Sequence, residues 1–383
     1  MAAVSLKKKP AQASLPWELD GLGARYDDRE GLVAATRQEL DLPLPLGPVK
    51  LVPYALGELA YWQEDVDGAE VQRAYGQAGV RGSLPVWSVN SQLQSPLWNL
   101  NGLAHKVVLE ADFFWADASE EYGLLPLYDP LDDDATEHFQ RRFIQDLYGG
   151  TAGLPLPFSA RNYALRSGLQ QWVTAPTNEI ADDLMIAQVG LRQRWQTKRG
   201  LPGQERIVDW ISFDVEGSLF PDQDRDNFGE LLGLLSYDFS WHLGDRFSVL
   251  SDGFFDFFPD GLQTASVGAM LTRPLRGDVY LGFRAVEGPF SARLLNGAVN
   301  YRLSEKWILN AGGVIDLGDT GSIGERISVT RIGESLLVRV GVNVDHSRDN
   351  IGAFFAIEPR FLAGRLARTG GVPIPPAGAF GLE

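Results

Sequence analysis

Along residues 206–361 apolar and polar side chains alternate one for one, the period of a strand whose two faces meet different media. Ile211, Phe213, Val215, Gly217 and Leu219 alternate with Ser212, Asp214, Glu216 and Ser218. In the same way Leu336, Val338, Val340, Val342 and Val344 alternate with Leu337, Arg339, Gly341, Asn343 and Asp345. A helix would scatter either set around its circumference. The rhythm recurs in Tyr237 to Leu243, Val279 to Ala285 and Leu295 to Leu303. Turn-forming groups separate these runs, among them Pro259-Asp260-Gly261, Arg276-Gly277-Asp278 and Ser347-Arg348-Asp349-Asn350, which predicts a meander of antiparallel hairpins.

Strand length narrows the architecture. Strands of soluble sandwiches average about 5 to 6 residues, whereas tilted membrane strands need about 9 to 11, and the runs here are of the longer kind. Arg284, Arg302 and Asp316 fall on the polar side of the alternation, which suits a wet lumen better than a closed sandwich core. Trp241, Phe255, Phe257, Tyr301 and Trp307 fall toward the ends of runs, where an interfacial aromatic girdle would place them.

Earlier in the chain, strands are expected near Leu32 to Leu42, Val49 to Trp62, Val71 to Ser83, His105 to Trp115 and Leu184 to Trp195. Between the last two lies a long loop at about 117–182, with the acidic run Asp132, Asp133 and Asp134 and a Gly/Pro-rich stretch from Gly149 to Pro157; loops of this length are usually functional or mobile. The expected fold class is therefore all-β, an antiparallel transmembrane β-barrel of about 16 strands, within roughly 14 to 18. It occupies residues 21–362, with tails at 1–20 and 363–383.

Composition agrees without deciding the matter. The chain has 383 residues, 44% of them hydrophobic, and a mean hydropathy of −0.12. No apolar run approaches the ~18 to 20 residues of a spanning helix, but a barrel shows lipid only every second residue and averages near neutral. A net charge of −16 argues against nucleic acid as a partner, since phosphate binding needs clustered Lys and Arg. The absence of cysteine excludes disulfides, thiolate metal sites and cysteine nucleophiles. Residues 1–16 carry Lys7, Lys8 and Lys9 but no apolar stretch of secretory length. A barrel reading therefore makes the chain a fragment, a mature form or a frame lacking its upstream part.

Leu103 to Trp115, followed by Leu125-Pro126-Leu127-Tyr128-Asp129 and Arg141-Arg142-Phe143, resembles the lipopolysaccharide-assembly outer-membrane family, also called organic-solvent-tolerance proteins. Ile180 to Leu184 with Val189 to Arg194 is similar to that family's next strand, and Arg326 to Phe361 to its terminal hairpins. The resemblance covers most of 30–362. It implies a barrel of the cell outer membrane that takes lipopolysaccharide from periplasmic bridge proteins and releases it sideways into the outer leaflet. A lipoprotein plug, the barrel-assembly machinery and outer-membrane lipids are the implied partners. The chain departs from the family in lacking the jellyroll domain that precedes such barrels, in lacking linking cysteines, and in its smaller size.

No catalytic, cofactor or metal site is expected. His105, His138, His242 and His346 are dispersed, and the acidic run lacks the spaced ligands and turn glycine of a calcium loop. The glycines Gly312, Gly313, Gly321 and Gly324 lack the setting of a phosphate cradle and read as strand kinks and turns. Arg192, Arg194, Lys198 and Arg199 form one basic cluster, read either as contacts to lipid phosphates or as charges lining a pore or its rim. Proline cannot donate a ladder bond, so Pro43, Pro53 and Pro359 are the candidates for a weakened lateral seam, with turn positions as the alternative for Pro43. Three functions follow: lipopolysaccharide insertion through that seam, a passive porin-like channel, or a soluble β-rich binding module.

Overall fold

The computed structural model describes residues 2–7, 31–65, 67–121, 182–201, 203–244, 246–273, 276–288, 291–318, 321–346 and 350–359, together with Leu124, Leu125, Pro157, Asn162 and Arg166 of the long insert. The chain forms one antiparallel sheet. Its segments are β1 (Ala2–Lys7), β2 (Gly31–Asp41), β3 (Leu44–Leu46), β4 (Val49–Trp62), β5 (Val71–Ser95), β6 (Leu100–Ala118), β7 (Leu184–Arg199), β8 (Arg206–Leu219) and β9 (Leu232–His242). They continue as β10 (Phe247–Asp256), β11 (Gln263–Arg273), β12 (Gly277–Glu287), β13 (Ala292–Arg302), β14 (Trp307–Asp316), β15 (Gly321–Ile332), β16 (Leu336–Asp345) and β17 (Asn350–Pro359). A short helix, α1 (Gln223–Asp226), lies between β8 and β9. Because β2 and β3 pair with successive parts of β4, the segments amount to sixteen strands. An even count leaves the first and last strands antiparallel, as closure into a barrel requires.

Every described strand pairs with its sequence neighbour, so the connections are hairpins. Connections at one end of the sheet, the turn end, run to six residues at most; those at the other, the loop end, include the insert at 119–183. The alternation of polarity sets the two faces. On β10, Ser248, Leu250, Asp252, Phe254 and Asp256 are buried on the inner face; on β12, Tyr280, Gly282, Arg284 and Val286 are. The outer face carries exposed Val267, Val279, Leu281, Ile327, Val340, Ile351 and Phe355. On β16 the expected division holds: Val340 and Val342 are exposed, whereas Gly341 is buried beneath the Phe354 ring, which leaves no room there for a Cβ. Tyr280 uses the same device, its ring lying across Gly268 and Gly282.

The inner face is dry toward the loop end. Tyr54, Leu56, Tyr75, Phe114, Ile186, Leu234, Phe254, Val286 and Leu294, drawn from strands between β4 and β13, form one buried cluster. Two features were not visible in the alternation. Ala2–Lys7, expected in an N-terminal tail, pairs along its whole length with β2, because six residues give too short a pattern to read. The β5–β6 hairpin also runs past Ser83 and His105 to a turn at 96–99, where polar residues on both faces hide the period. Conversely, Gly312 and Gly313 do sit in a strand, just before the bulge at Val314/Ile315, in line with glycine marking strand irregularity.

An outer face that meets hydrocarbon makes Val340→Arg destabilising by ~2 to 4 kcal/mol if the position is near the midplane. Urea unfolding of refolded protein in lipid vesicles measures this. Asn343→Arg, on the inner face of the same strand, should cost markedly less.

Candidate functional site: the inner face and the insert

The inner face is lined by ionic and hydrogen-bonded ladders that step from strand to strand. Starting at β2, Glu39 accepts from Arg81 Nη1 at 2.6 Å, and Arg81 Nε lies 3.6 Å from Asp112 on β6. The Arg81 guanidinium sits over the Tyr54 ring at 3.8 Å, a cation–π contact that fixes its plane. Tyr54 Oη in turn accepts from Gln77 Nε2 at 2.8 Å, and Gln77 Oε1 accepts from Tyr75 at 2.9 Å. Deeper toward the loop end, Arg73 donates to Glu58 at 2.9 Å with both side chains essentially buried. The next strands repeat the motif: Arg192 bridges Glu110 (2.7 Å) and Glu216 (3.2 Å), and Arg194 engages Asp214 through two nitrogens. Farther along the sheet, on the same inner face, Arg284 donates to Asp252 at 3.0 Å, and Ser266 also donates to that carboxylate.

Such ladders follow from the sequence. Side chains directly opposite on neighbouring strands are about 4.5 to 5.5 Å apart, so one charged inward position per strand suffices to build a chain of pairs. Each ion is compensated by a neighbour, which matters because an uncompensated charge in a partly dry interior is costly.

The insert between β6 and β7 enters this interior at two places. Leu125, fully buried, packs with Val33, Ala35, Ala60, Trp62 and Val71 of β2, β4 and β5. Arg166, also buried, reaches the other wall. Its Nη1 and Nη2 donate to Asp256 at the end of β10 (2.8 and 3.2 Å), and Nη2 also donates to the Pro157 carbonyl at 2.9 Å. The guanidinium stacks over Phe258 at 4.2 Å, and Ser218 on β8 donates to the Arg166 carbonyl at 2.7 Å. A bidentate, ring-stacked arginine with its backbone also held is a strongly oriented anchor.

The sequence-derived candidates are distributed over this frame. Arg192 and Arg194 point inward and are engaged by carboxylates, Arg199 is buried and donates to the His242 carbonyl at 2.5 Å, and Lys198 alone is exposed on the opposite face. The bulge at Trp195/Gln196 reverses the side-chain sense between Arg194 and Lys198, so the four do not form one patch. Pro43 lies in the break between β2 and β3. Pro53 lies in β4, where its carbonyl accepts from Leu42 N–H at 2.9 Å. Pro359 closes β17 opposite Leu336. Arg284 and Asp316 are buried on the inner face, whereas Arg302 is exposed at the turn end and caps Ser304 and Glu305 carbonyls.

The histidines are far apart: His105 stacks on Trp195 at 4.4 Å, His242 Nδ1 meets Ser248 Oγ at 2.7 Å, and His346 meets Glu325 at 2.9 Å. Among the described residues no three metal-ligating side chains converge. The segments 126–130, 132–134 and 141–143, His138, and the tail at 363–383 lie outside the described residues. Arg166 was missed from sequence; its one signal is a lone cation inside the otherwise uncharged stretch Asn162 to Trp172.

The chain matches no protein-family model and no curated protein. Among solved structures, it overlaps a chain described as "Asymmetric conductivity of engineered proteins", at 11% identity over 93% of this chain and 99% of the other, with a TM-score of 0.34. It also overlaps variants of a Rhodopseudomonas blastica porin. One is 10% identical over 94% of this chain and 100% of the porin, with a TM-score of 0.33. Overlaps this loose support no functional reading, and the architecture rests on the strand pairings themselves.

If Arg166 and Asp256 anchor the insert, Asp256→Ala removes the bidentate carboxylate from a buried guanidinium and should cost up to about 3 to 5 kcal/mol locally. Limited proteolysis should then cut faster within 126–165 while the strands stay intact. Replacing both partners, Arg166→Met with Asp256→Leu, should recover much of the protection.

Proposed function

We propose that the chain is an outer-membrane channel for small hydrophilic solutes whose lumen is narrowed by the β6–β7 insert. The observation that carries this reading is the buried Arg166–Asp256 clamp, which fastens the insert to the inner wall rather than outside the sheet. An apolar outer band and a charged inner face are what a wall between lipid and water requires. The connections fit the usual orientation, short turns toward the periplasm and long loops outside. Toward the turn end the inner ions are partly solvated, as with Arg192 and Arg194, which keeps that half of the lumen wet.

Charge gives the channel a preference. The connection between β6 and β7 holds eleven Asp and Glu against four Arg and no Lys, and a negative potential at a pore favours cations. Lipid delivery, which the family resemblance implies, draws less support. Pro43 and Pro53 lie within the β2–β4 hairpin, and of the three candidate prolines Pro359 alone is on the first or last strand.

Purified protein in planar bilayers should show discrete ohmic conductance. Under a KCl gradient the reversal potential should have the sign of cation preference, and Asp256→Ala should raise conductance by loosening the constriction. Silent membranes with correctly folded protein would remove the channel reading; delivery of lipopolysaccharide by such protein would favour the other.

A further inference from the structure

The outer face is not uniform, and its irregular part has complementary shapes. On β2, β3 and the residue between them, Leu40, Leu42, Leu44 and Leu46 are 78%, 60%, 37% and 57% exposed. Leu40 alternates with the buried Val33 and Ala35 series of β2, and the even-numbered leucines continue its sense into a ridge near the turn end. Farther round the same wall is an apolar groove of about 530 Å³ across β5 to β9, bounded by Val49, Leu84, Leu109, Leu191 and Leu235. Its floor is the row Gly82, Ala111, Val189 and Gly217, whose members are register partners on successive strands. Between ridge and groove the outward positions are apolar, Leu51 pairing with Gly82 and Pro53 with Val80, and toward the loop end the same strands carry small outward residues, Ala55 paired with Ala78 and Gly57 with Gly76. Beside them Gln38, partner of Gly57, exposes an amide. The outward positions of β12 to β17 are instead bulky, with Leu281, Ile327, Val340 and Phe355.

We propose that this wall is an interface with a second copy of the chain, the leucine ridge of one copy lying in the groove of the next. The occupant follows from three features. Small side chains let two barrel walls approach closely, the principle by which small residues serve helix contacts in membranes. Four leucine side chains, at roughly 100 Å³ each given close-packed interiors, approach the volume of the groove. The wall from β2 to β9 spans six strand spacings of about 4.8 Å, which over a band about 25 Å tall gives roughly 700 Å², near the ~800 Å² per partner of a stable interface. Copies inserted with the same orientation are related by an axis along the membrane normal. With ridge and groove on one wall, a two-fold axis along the membrane normal seats the ridge of each copy in the groove of the other, an isologous contact that buries both patches together. The inference rests on the membrane-spanning reading and not on conduction.

The test is the mass of the full chain, refolded and purified, by native mass spectrometry from detergent and from nanodiscs. The expected result is an assembly of two or more copies of the 42.1 kDa chain, with Leu42→Cys plus Leu109→Cys forming intermolecular disulfides on oxidation that reverse on reduction. Gly82→Leu fills the groove and should weaken assembly at least tenfold with the β-sheet circular dichroism unchanged. Should that variant fail to fold, Leu42→Ser, at an exposed site, should weaken assembly in the same direction. A single-copy mass for the unsubstituted protein overturns the proposal, including when a lipid alone is found bound. So does an oligomer that neither substitution weakens.

Discussion

A chain that runs through hydrocarbon must satisfy each backbone N–H and C=O from within, since no water is there to do so. A sheet does this only by pairing every strand on both sides, and the rest of this structure follows from that demand. It forces adjacent strands into hairpins, fixes an even count, and assigns successive residues to opposite media. Register is then tightly specified, because a slip of one residue would turn Val340 inward and Arg339 into lipid. The ladder is interrupted at the Leu42-Pro43 break and at the register shifts at Asn90/Gln94, Trp195/Gln196, Gly217/Leu219 and Val314/Ile315, all toward strand ends, where water can supply the missing bonds.

The inner face solves a second problem with the same geometry. Its charges are not spread as free ions but handed from strand to strand, Glu39 to Arg81 to Asp112, and Glu110 to Arg192 to Glu216. Paired in this way they stiffen the wall and still present polar atoms to a solvated lumen. Near the loop end, where Leu125 and Arg166 enter, the interior changes from wet to packed. In the proposed channel, the transition from ladders to a buried cluster is the constriction, and Asp256 is where the two regimes meet: a strand-end carboxylate whose partner comes from the insert.

The sequence exposes some of this plainly and conceals the rest. Period-two runs place β8 to β17 with little ambiguity because each is about ten residues long and its faces differ sharply. The length of the insert and the inward sense of Arg284 are also legible. β1 is not, since six residues cannot establish a period. Nor is the clamp. Arg166 and Asp256 are ninety residues apart, and nothing local to either shows that they meet. The basic cluster at 192–199 shows a different limit: a one-residue bulge, unmarked in the sequence, separates Lys198 from the inward arginines. Family resemblance pointed to lipid delivery through prolines. Of these, Pro43 and Pro53 lie in the β2–β4 hairpin, whereas Pro359 lies at the end of the last strand.

The central claim is that the two faces of one sheet meet lipid and water, and the absence of native cysteine makes it directly measurable. Single cysteines introduced one at a time along β12, from Val279 to Arg284, would be labelled in lipid vesicles with a charged, membrane-impermeant maleimide. The account predicts slow reaction at Val279, Leu281 and Phe283 and faster reaction at Tyr280, Gly282 and Arg284, with the difference erased on unfolding. Equal reactivity along the strand, or the opposite parity, would contradict it.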